Sequence, residues 1–373
     1  MKVGLIYRNI AVTGSGLAGG GDVFVVYLLK ALKENGHKVV LLTTQPTNWN
    51  TIKKDLGWVY KPDEEGKCFA LPDFEGMKLY RQFLPAPYIN SLKKNCDITF
   101  NAYGNNPFWN TDLIYMHTPV TKQELEAKYS RNLFTRSYFA LYKYLMKRSI
   151  KKLKTTILTN SEYSREIIRS TLGRDAKVVY PPVDTAKYRS ALNKYSKREN
   201  WVVIVSRYTW ERNLHLIPVM AKEIKEATFH IIGNTALTYA SKVIEDIGKR
   251  SSELGVSDRV HIHVNIPFSE KLEILAKAKV YVNTLKEEHF GMSIAEAMSA
   301  GLIPILPNEG GQREILPGEE FLYDNLEDAV NKIRFWLKEW SNDMANRISR
   351  SAERFSYERF KEEIEALIEA TVS

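Results

Sequence analysis

The chain has 373 residues, 44% of them hydrophobic and 26% charged, with 20 glycines and 14 prolines; this length points to two domains of roughly 150–200 residues and the composition excludes collagen-like and disordered chains. The longest apolar run, Val23–Leu29, covers about two helical turns, far short of the ~20 residues that span a membrane. The net charge of +9 is unevenly carried. Residues 1–200 hold 32 Lys and Arg against 17 Asp and Glu, whereas residues 201–373 hold 21 against 27. The first half is therefore expected to face an anionic partner: a membrane surface, nucleic acid or a phosphorylated ligand.

In chain order, Lys2–Tyr7 reads as a strand, Asp22–Glu34 as a helix ended by Asn35-Gly36, and Lys38–Thr43 as the next strand. This βαβ start favours a parallel sheet. The Met1–Arg8 run is too short for a secretion signal. Cys68 and Cys96 lack metal-ligand or disulfide-framework spacing, so neither feature is expected and the cytoplasm is the default compartment. Residues 45–111 carry little pattern. Strands are expected at Asp112–Met116, Thr156–Thr159 and Lys177–Tyr180.

Between Pro119 and Thr156, ten basic residues meet only Glu124 and Glu126, and aromatic and aliphatic side chains interleave with them. The stretch 132–154, free of Gly and Pro, fits an interfacial helix on an anionic bilayer. An ordinary core helix with a solvated basic face fits equally well.

Tyr180-Pro181-Pro182-Val183-Asp184 and the polar Lys187–Asn200 read as a linker. Alternation then restarts, with strands Trp201–Ser206, Thr228–Ile232, Val260–His263, Val280–Asn283 and Ile303–Leu306 separated by helices. Helices at Leu326–Trp340 and Ser356–Val372 close the chain. The simplest architecture is two doubly wound α/β domains, residues 1–184 and 185–355, facing each other across a cleft.

Three segments carry candidate chemistry. Gly14, Gly16 and Gly19 match GxGxxG, and Gly20-Gly21 follow. The second strand ends Leu42-Thr43-Thr44-Gln45 without the acid that grips a dinucleotide's ribose, which disfavours nicotinamide binding. A glycine loop presenting amides to an anion or a plain flexible turn remains. Arg207 and Arg212, just past the strand at Trp201, have the forked donors that match a diphosphate, although surface arginines are common. In the third segment, Glu288 precedes Phe290-Gly291-Met292 and a helix, Ser293–Ala300, that contains Glu296. Helix amino-terminal amides suit a phosphate, and the two carboxylates suit sugar hydroxyls. An exposed helix glutamate is the alternative for Glu296. The Glu309–Glu314 loop has the glycines for a close backbone approach.

Seven residues separate Glu288 from Glu296, Gly301 closes the helix, and Gly310-Gly311…Glu314 follows. This pattern resembles the signature of the family-4 retaining glycosyltransferases. Gly19–Gly21, His117, Asn160-Ser161, Tyr180–Asp184 and Arg207…Arg212-Asn213 fall in the family's order. The resemblance implies a GT-B fold, two Rossmann-like domains with the final helix 356–373 crossing back to the first. It also implies that Arg207 and Arg212 hold a nucleotide-sugar diphosphate. Glu288 and the backbone of Phe290, Gly291 and Met292 would hold the donor sugar, and Glu296 the ribose. His117 would lie near the transferred sugar; a satisfied core histidine is its other reading. Arg212 stands where the family usually has lysine, which keeps the charge and changes the fork.

Tyr115–Pro119, Ser137–Lys154 and Val178–Asp184 further resemble the α-1,2-mannosyltransferases that extend lipid-linked oligosaccharides from GDP-mannose. That implies a nucleotide-sugar donor, a lipid-linked or glycan acceptor and a peripheral place on the cytoplasmic membrane face; no acidic pair such as DxD stands at a strand end, so neither metal nor cofactor is expected. A soluble family member using a UDP- or ADP-sugar on a small glycoside or polysaccharide is the near alternative. A nucleic-acid-binding protein is the remote one, since it leaves the Glu288–Glu296 cluster unexplained.

Overall fold

The computed structural model describes residues 1–8, 10, 17, 19–67, 86–104, 109–117, 140, 144, 154–192, 194–235 and 239–372. Its first sheet contains β1 (Lys2–Ile6), β2 (Lys38–Thr43), β3 (Glu64–Lys67), β4 (Ile98–Asn101), β5 (Leu113–Met116), β6 (Thr156–Thr159) and β7 (Lys177–Val178). The order across the sheet is β3-β2-β1-β4-β5-β6-β7, with every pairing parallel. The second sheet contains β8 (Trp201–Val205), β9 (Thr228–Gly233), β10 (Val260–Val264), β11 (Val280–Val282), β12 (Ile303–Pro307) and β13 (Leu322–Tyr323), in the order β10-β9-β8-β11-β12-β13, again all parallel. Central strands covered by helices on both faces need continuous apolar runs rather than alternation, and Trp201-Val202-Val203-Ile204-Val205 is one.

The helices described in full in the first domain are α1 (Gly20–Glu34), α2 (Trp49–Leu56), α3 (Ala86–Asn95) and α4 (Glu162–Leu172); α5 (Thr185–Arg189) leads into the second domain. There follow α6 (Leu216–Glu223), α7 (Ala240–Glu253), α8 (Phe268–Lys277), α9 (Met292–Ser299), α10 (Leu326–Glu339), α11 (Asn342–Ser351) and α12 (Tyr357–Val372). The Ser161 hydroxyl accepts from the Ser164 amide to cap α4, and Gly173 ends that helix at φ +64°.

Each domain has its own core. That of the first includes Phe24, Leu28, Phe100 and Tyr115, and takes in Tyr357, Phe360, Ile364 and Ile368 from α12. Phe360 meets Phe24 edge-on, ring centroids 5.5 Å apart, so the last helix packs against α1. The two chain crossings run side by side: the Val183 amide donates to the Phe355 carbonyl and the Tyr357 amide to that of Val183.

Two expectations need correction. Residues 187–200 are not an open linker, because Tyr188, Leu192 and Arg198 are buried against the second domain. The polar Asn342–Ser351 stretch, unassigned from sequence, is helical; Ala345 and Ile348 are its buried apolar residues. The stretch 45–111 contributes α2, β3, α3 and β4. Of the basic stretch 132–154, only Ala140, Tyr144 and Lys154 lie among the described residues, and Cys68 lies outside them.

Candidate active site

In doubly wound sheets, ligands gather beyond the strand carboxyl ends where the strand order reverses. Those points lie between β1 and β4 and between β8 and β11. The loop after β1 ends at Gly19 and α1 opens with Gly20-Gly21, the loop after β8 carries Arg207–Asn213, and the loop after β11 carries Glu288–Gly291. The domains bring these loops together. A Cβ on Gly20 would sit 3.3 Å from Met292 Sδ, and one on Gly19 would sit 4.0 Å from Arg207 Cδ. Asn234 Nδ2 donates to the Leu17 carbonyl at 3.3 Å across the same gap. Gly14 and Gly16 lie outside the described residues.

Gly291 shapes the loop. It precedes α9 at φ +97°, and a Cβ there would collide with Ile294 and lie 3.3 Å from Glu288 Cγ. Its N-cap, Gly291, has no side chain to cap α9, so among the described residues the Met292 and Ser293 amides remain available for an anion. Gly311 supports the loop from below: its amide donates to the Glu288 carbonyl at 2.8 Å, and a side chain there would strike the His289 carbonyl. Buried Gln312 donates to the Leu285, Lys286 and Glu309 carbonyls, each at 3.0 Å. Phe290 packs edge-on against Phe355 at 5.2 Å, and the Ser293 hydroxyl meets that of Tyr281 at 3.0 Å. Gly291→Ala is expected to cost about 1–2 kcal/mol of stability from its left-handed backbone and to weaken donor binding. Thermal unfolding and calorimetry check the two effects separately.

Both candidate carboxylates are paired with cations. Arg212 Nη1 bonds Glu288 Oε2, with both side chains largely covered. Lys271 Nζ lies 2.6 Å from Glu296 Oε2 and donates to the Tyr188 hydroxyl at 2.9 Å. Arg212, expected to join Arg207 at a diphosphate, is held here by Glu288. Its buried Nε has no hydrogen-bond partner among the described residues, so the fork keeps a donor in reserve. Arg207 is half-buried beside the glycine loop and makes no side-chain ion pair among the described residues.

His117 follows β5, with its ring edge-on to Phe24 at 4.7 Å. Its Nε2 lies 3.1 Å from the Ala102 carbonyl and must donate to it, leaving Nδ1 as the acceptor of the neutral ring. Burial lowers its pKa from 6.5 to about 4. The unfolded chain then binds the extra proton first, so His117 contributes stability above pH 6.5 that is lost as the pH falls from 6.5 to about 4. His230 and His263 are also lowered and slope the same way. His117→Gln is expected to flatten only part of the acid limb in a series of unfolding curves from pH 4 to 8.

Residues 184–355 match the family model for glycosyl transferases group 1. The chain is 28% identical over 215 residues to a GDP-Man:Man(3)GlcNAc(2)-PP-Dol alpha-1,2-mannosyltransferase of Dictyostelium discoideum, covering 52% of this chain and 42% of that protein. It is 26% identical over 341 residues to the human enzyme of the same name, covering 84% and 64%. These matches span less than two thirds of either relative. Among solved structures, sucrose-phosphate synthase of Thermosynechococcus elongatus superposes with a TM-score of 0.73 at 16% identity, over 99% of this chain and 98% of that one. A glycosyltransferase of Rickettsia africae superposes at 0.70 and 14% identity, over 100% and 98%. The chain has the GT-B fold, and its second domain is similar to the group 1 glycosyl transferases.

Two features of this GT-B chain escape sequence reasoning. Glu314 reads from sequence as part of a loop near the ligand, yet its carboxylate accepts the Glu162 and Tyr163 amides at 2.8 and 2.7 Å and so caps α4 of the opposite domain. Alongside it, His289 Nδ1 and the Ser164 hydroxyl lie 3.1 Å apart. The donor-side loop is therefore tied directly to the first domain. The other feature is Lys271, whose partner Glu296 is 25 residues away; no local spacing signals that pair.

Proposed function

We propose that the chain is a retaining glycosyltransferase that moves a hexose, in our reading mannose from GDP-mannose, to a hydroxyl of a lipid-linked glycan at a membrane surface. The observation that carries this reading is the cluster of Glu288 and Glu296, each paired with a cation, around the uncapped amino-terminus of α9 and opposite the glycine loop. In it, Glu296 accepts the ribose hydroxyls. Glu288 and the loop from Phe290 to Ser293 hold the donor sugar, while Gly20 and Gly21 let the backbone close on the phosphates. His117 borders the transferred sugar. The names of the mannosyltransferase relatives support GDP-mannose and a lipid-diphosphate acceptor. The basic first half supports a peripheral site on the cytoplasmic membrane face, and no described helix is long and apolar enough to cross a membrane.

As the bond from the anomeric carbon to the β-phosphate oxygen breaks, its electron pair stays on that oxygen. The acceptor hydroxyl attacks from the same face and passes its proton to the leaving phosphate, giving a glycoside and a nucleoside diphosphate. Arg207, Arg212 and the first amides of α9 oppose the charge where it develops. Closure of the domains excludes water as a competing acceptor. The route uses no metal, so activity is expected to survive EDTA.

The test is a panel of nucleotide-sugars assayed for binding and for nucleoside diphosphate release, with Glu288→Ala and Arg207→Ala as controls. Selective use of GDP-mannose, lost in both variants, supports the reading. Preference for a UDP-sugar overturns the donor assignment, and failure to bind any nucleotide-sugar overturns the transferase itself. Sedimentation with phosphatidylserine vesicles tests the membrane partner.

A further inference from the structure

Glu296 is one corner of a closed group of three. Lys271 Nζ donates to Glu296 Oε2 at 2.6 Å and to the Tyr188 hydroxyl at 2.9 Å. The Lys271 and Glu296 side chains are only 17% and 18% exposed, so solvent screens the pair weakly. Burial and the neighbouring Glu296 carboxylate push the Tyr188 hydroxyl well above its ordinary range; it stays protonated and able to donate.

Lys271 stands at the fourth residue of α8. A cation in a first helical turn opposes the helix dipole, so helix stability does not explain a lysine there. The carboxylate on the neighbouring helix does. Lys187, another cation whose charge reaches Glu296, makes its own contacts elsewhere: its ammonium donates to the Leu56 carbonyl at 3.1 Å and lies 3.8 Å from the Phe268 ring centre.

We infer that Lys271, backed by Tyr188, is the positioning residue that orients Glu296 toward the donor's ribose and cancels its charge beside the incoming diphosphate. The inference rests on the reading of Glu296 as the ribose acceptor. A carboxylate free to rotate spends part of each hydrogen bond on being ordered, and an uncompensated one repels a polyanionic donor. Lys271 removes both costs. A carboxylate offers about four acceptor sites, so the contact with Lys271 leaves capacity for vicinal hydroxyls.

The experiment measures calorimetric binding of GDP, UDP and their 2′-deoxy and 3′-deoxy forms to the wild type and to Glu296→Gln, Lys271→Met, Lys271→Arg and Tyr188→Phe. Loss of a ribose hydroxyl is expected to weaken wild-type binding of the preferred nucleotide about tenfold or more, as for a hydrogen bond to a charged group. Lys271→Met is expected to bind the intact nucleotide about tenfold more weakly and to lose most of that discrimination. It should also raise the donor KM more than it lowers kcat. Lys271→Arg keeps the charge and should recover discrimination in part, and Tyr188→Phe should show a smaller version of the same loss. If Glu296→Gln loses discrimination while Lys271→Met keeps it, Lys271 is merely structural and the inference falls alone. If the wild type or Glu296→Gln discriminates no differently from the other, the ribose assignment of Glu296 falls and takes the inference with it.

Discussion

Arg207→Ala is expected to lower kcat by about 10²–10³, the usual cost of deleting one donor aimed at developing charge. Arg207 follows β8 at the point where the second sheet reverses its order, and its stem faces Gly19 of the other domain. Its guanidinium makes no ion pair among the described residues, whereas Arg212 is bonded to Glu288. In the proposed reaction, Arg207 is therefore a cation whose charge no described residue offsets before the donor binds. Lysine at this position restores a point charge without the fork and should recover little of the rate. Arg212→Ala should behave differently, raising the donor KM as well, because it strips Glu288 of its counter-ion. Initial rates over a range of donor concentrations separate the two patterns. A rate for Arg207→Ala within about fivefold of wild type would remove the residue from any charge-stabilising role.

Arg198→Met is expected to destabilise the protein by about 3–5 kcal/mol, because it strips several buried carbonyls of their common donor. The side chain is 2% exposed. Its Nη1 donates to the Ala278 and Leu275 carbonyls at 2.8 and 3.3 Å, and its Nη2 to the Ala300 and Leu192 carbonyls at 2.7 and 3.2 Å. Ala278 and Ala300 end α8 and α9, where the dipoles favour a cation. Burial lowers the guanidinium pKa to about 10, so it remains charged at neutral pH. Trp340 covers it, 5.4 Å from the ring centre. Methionine fills much of the volume and leaves these carbonyls without a donor inside the protein, each costing about 1–3 kcal/mol before relaxation. For a domain of this size the melting temperature should fall by roughly 10 °C. Calorimetry reads that shift, and a fall of less than about 2 °C would mean that water or relaxation satisfies the carbonyls.

The elements that local patterning predicts are those whose chemistry is local. The apolar runs at Lys38–Thr43 and Trp201–Val205 form buried parallel strands, and Gly291 marks the left-handed turn into α9. Where the pattern is weak, the reason is physical. Residues 187–200 look like a linker because their charge is conspicuous, but Arg198 is buried through carbonyls supplied by α8 and α9. The helix at Asn342–Ser351 is hard to read because its apolar face is so small. His117 shows the same limit: its place after β5 follows from sequence, and its neutral state follows from Phe24 and the Ala102 carbonyl.

By itself the sequence determined two successive βαβ progressions, the glycine loop, and the Glu288–Glu296 spacing on one loop and helix. Each depends on residues within a few turns of one another, where periodicity and backbone geometry leave few choices. Only the tertiary structure decided which groups meet. Arg212 joins Glu288, Lys271 joins Glu296, and Glu314 caps a helix 152 residues away. Those contacts are set by how helices and sheets pack across two domains, and burial then makes each charge depend on a partner that its neighbours in the chain cannot reveal.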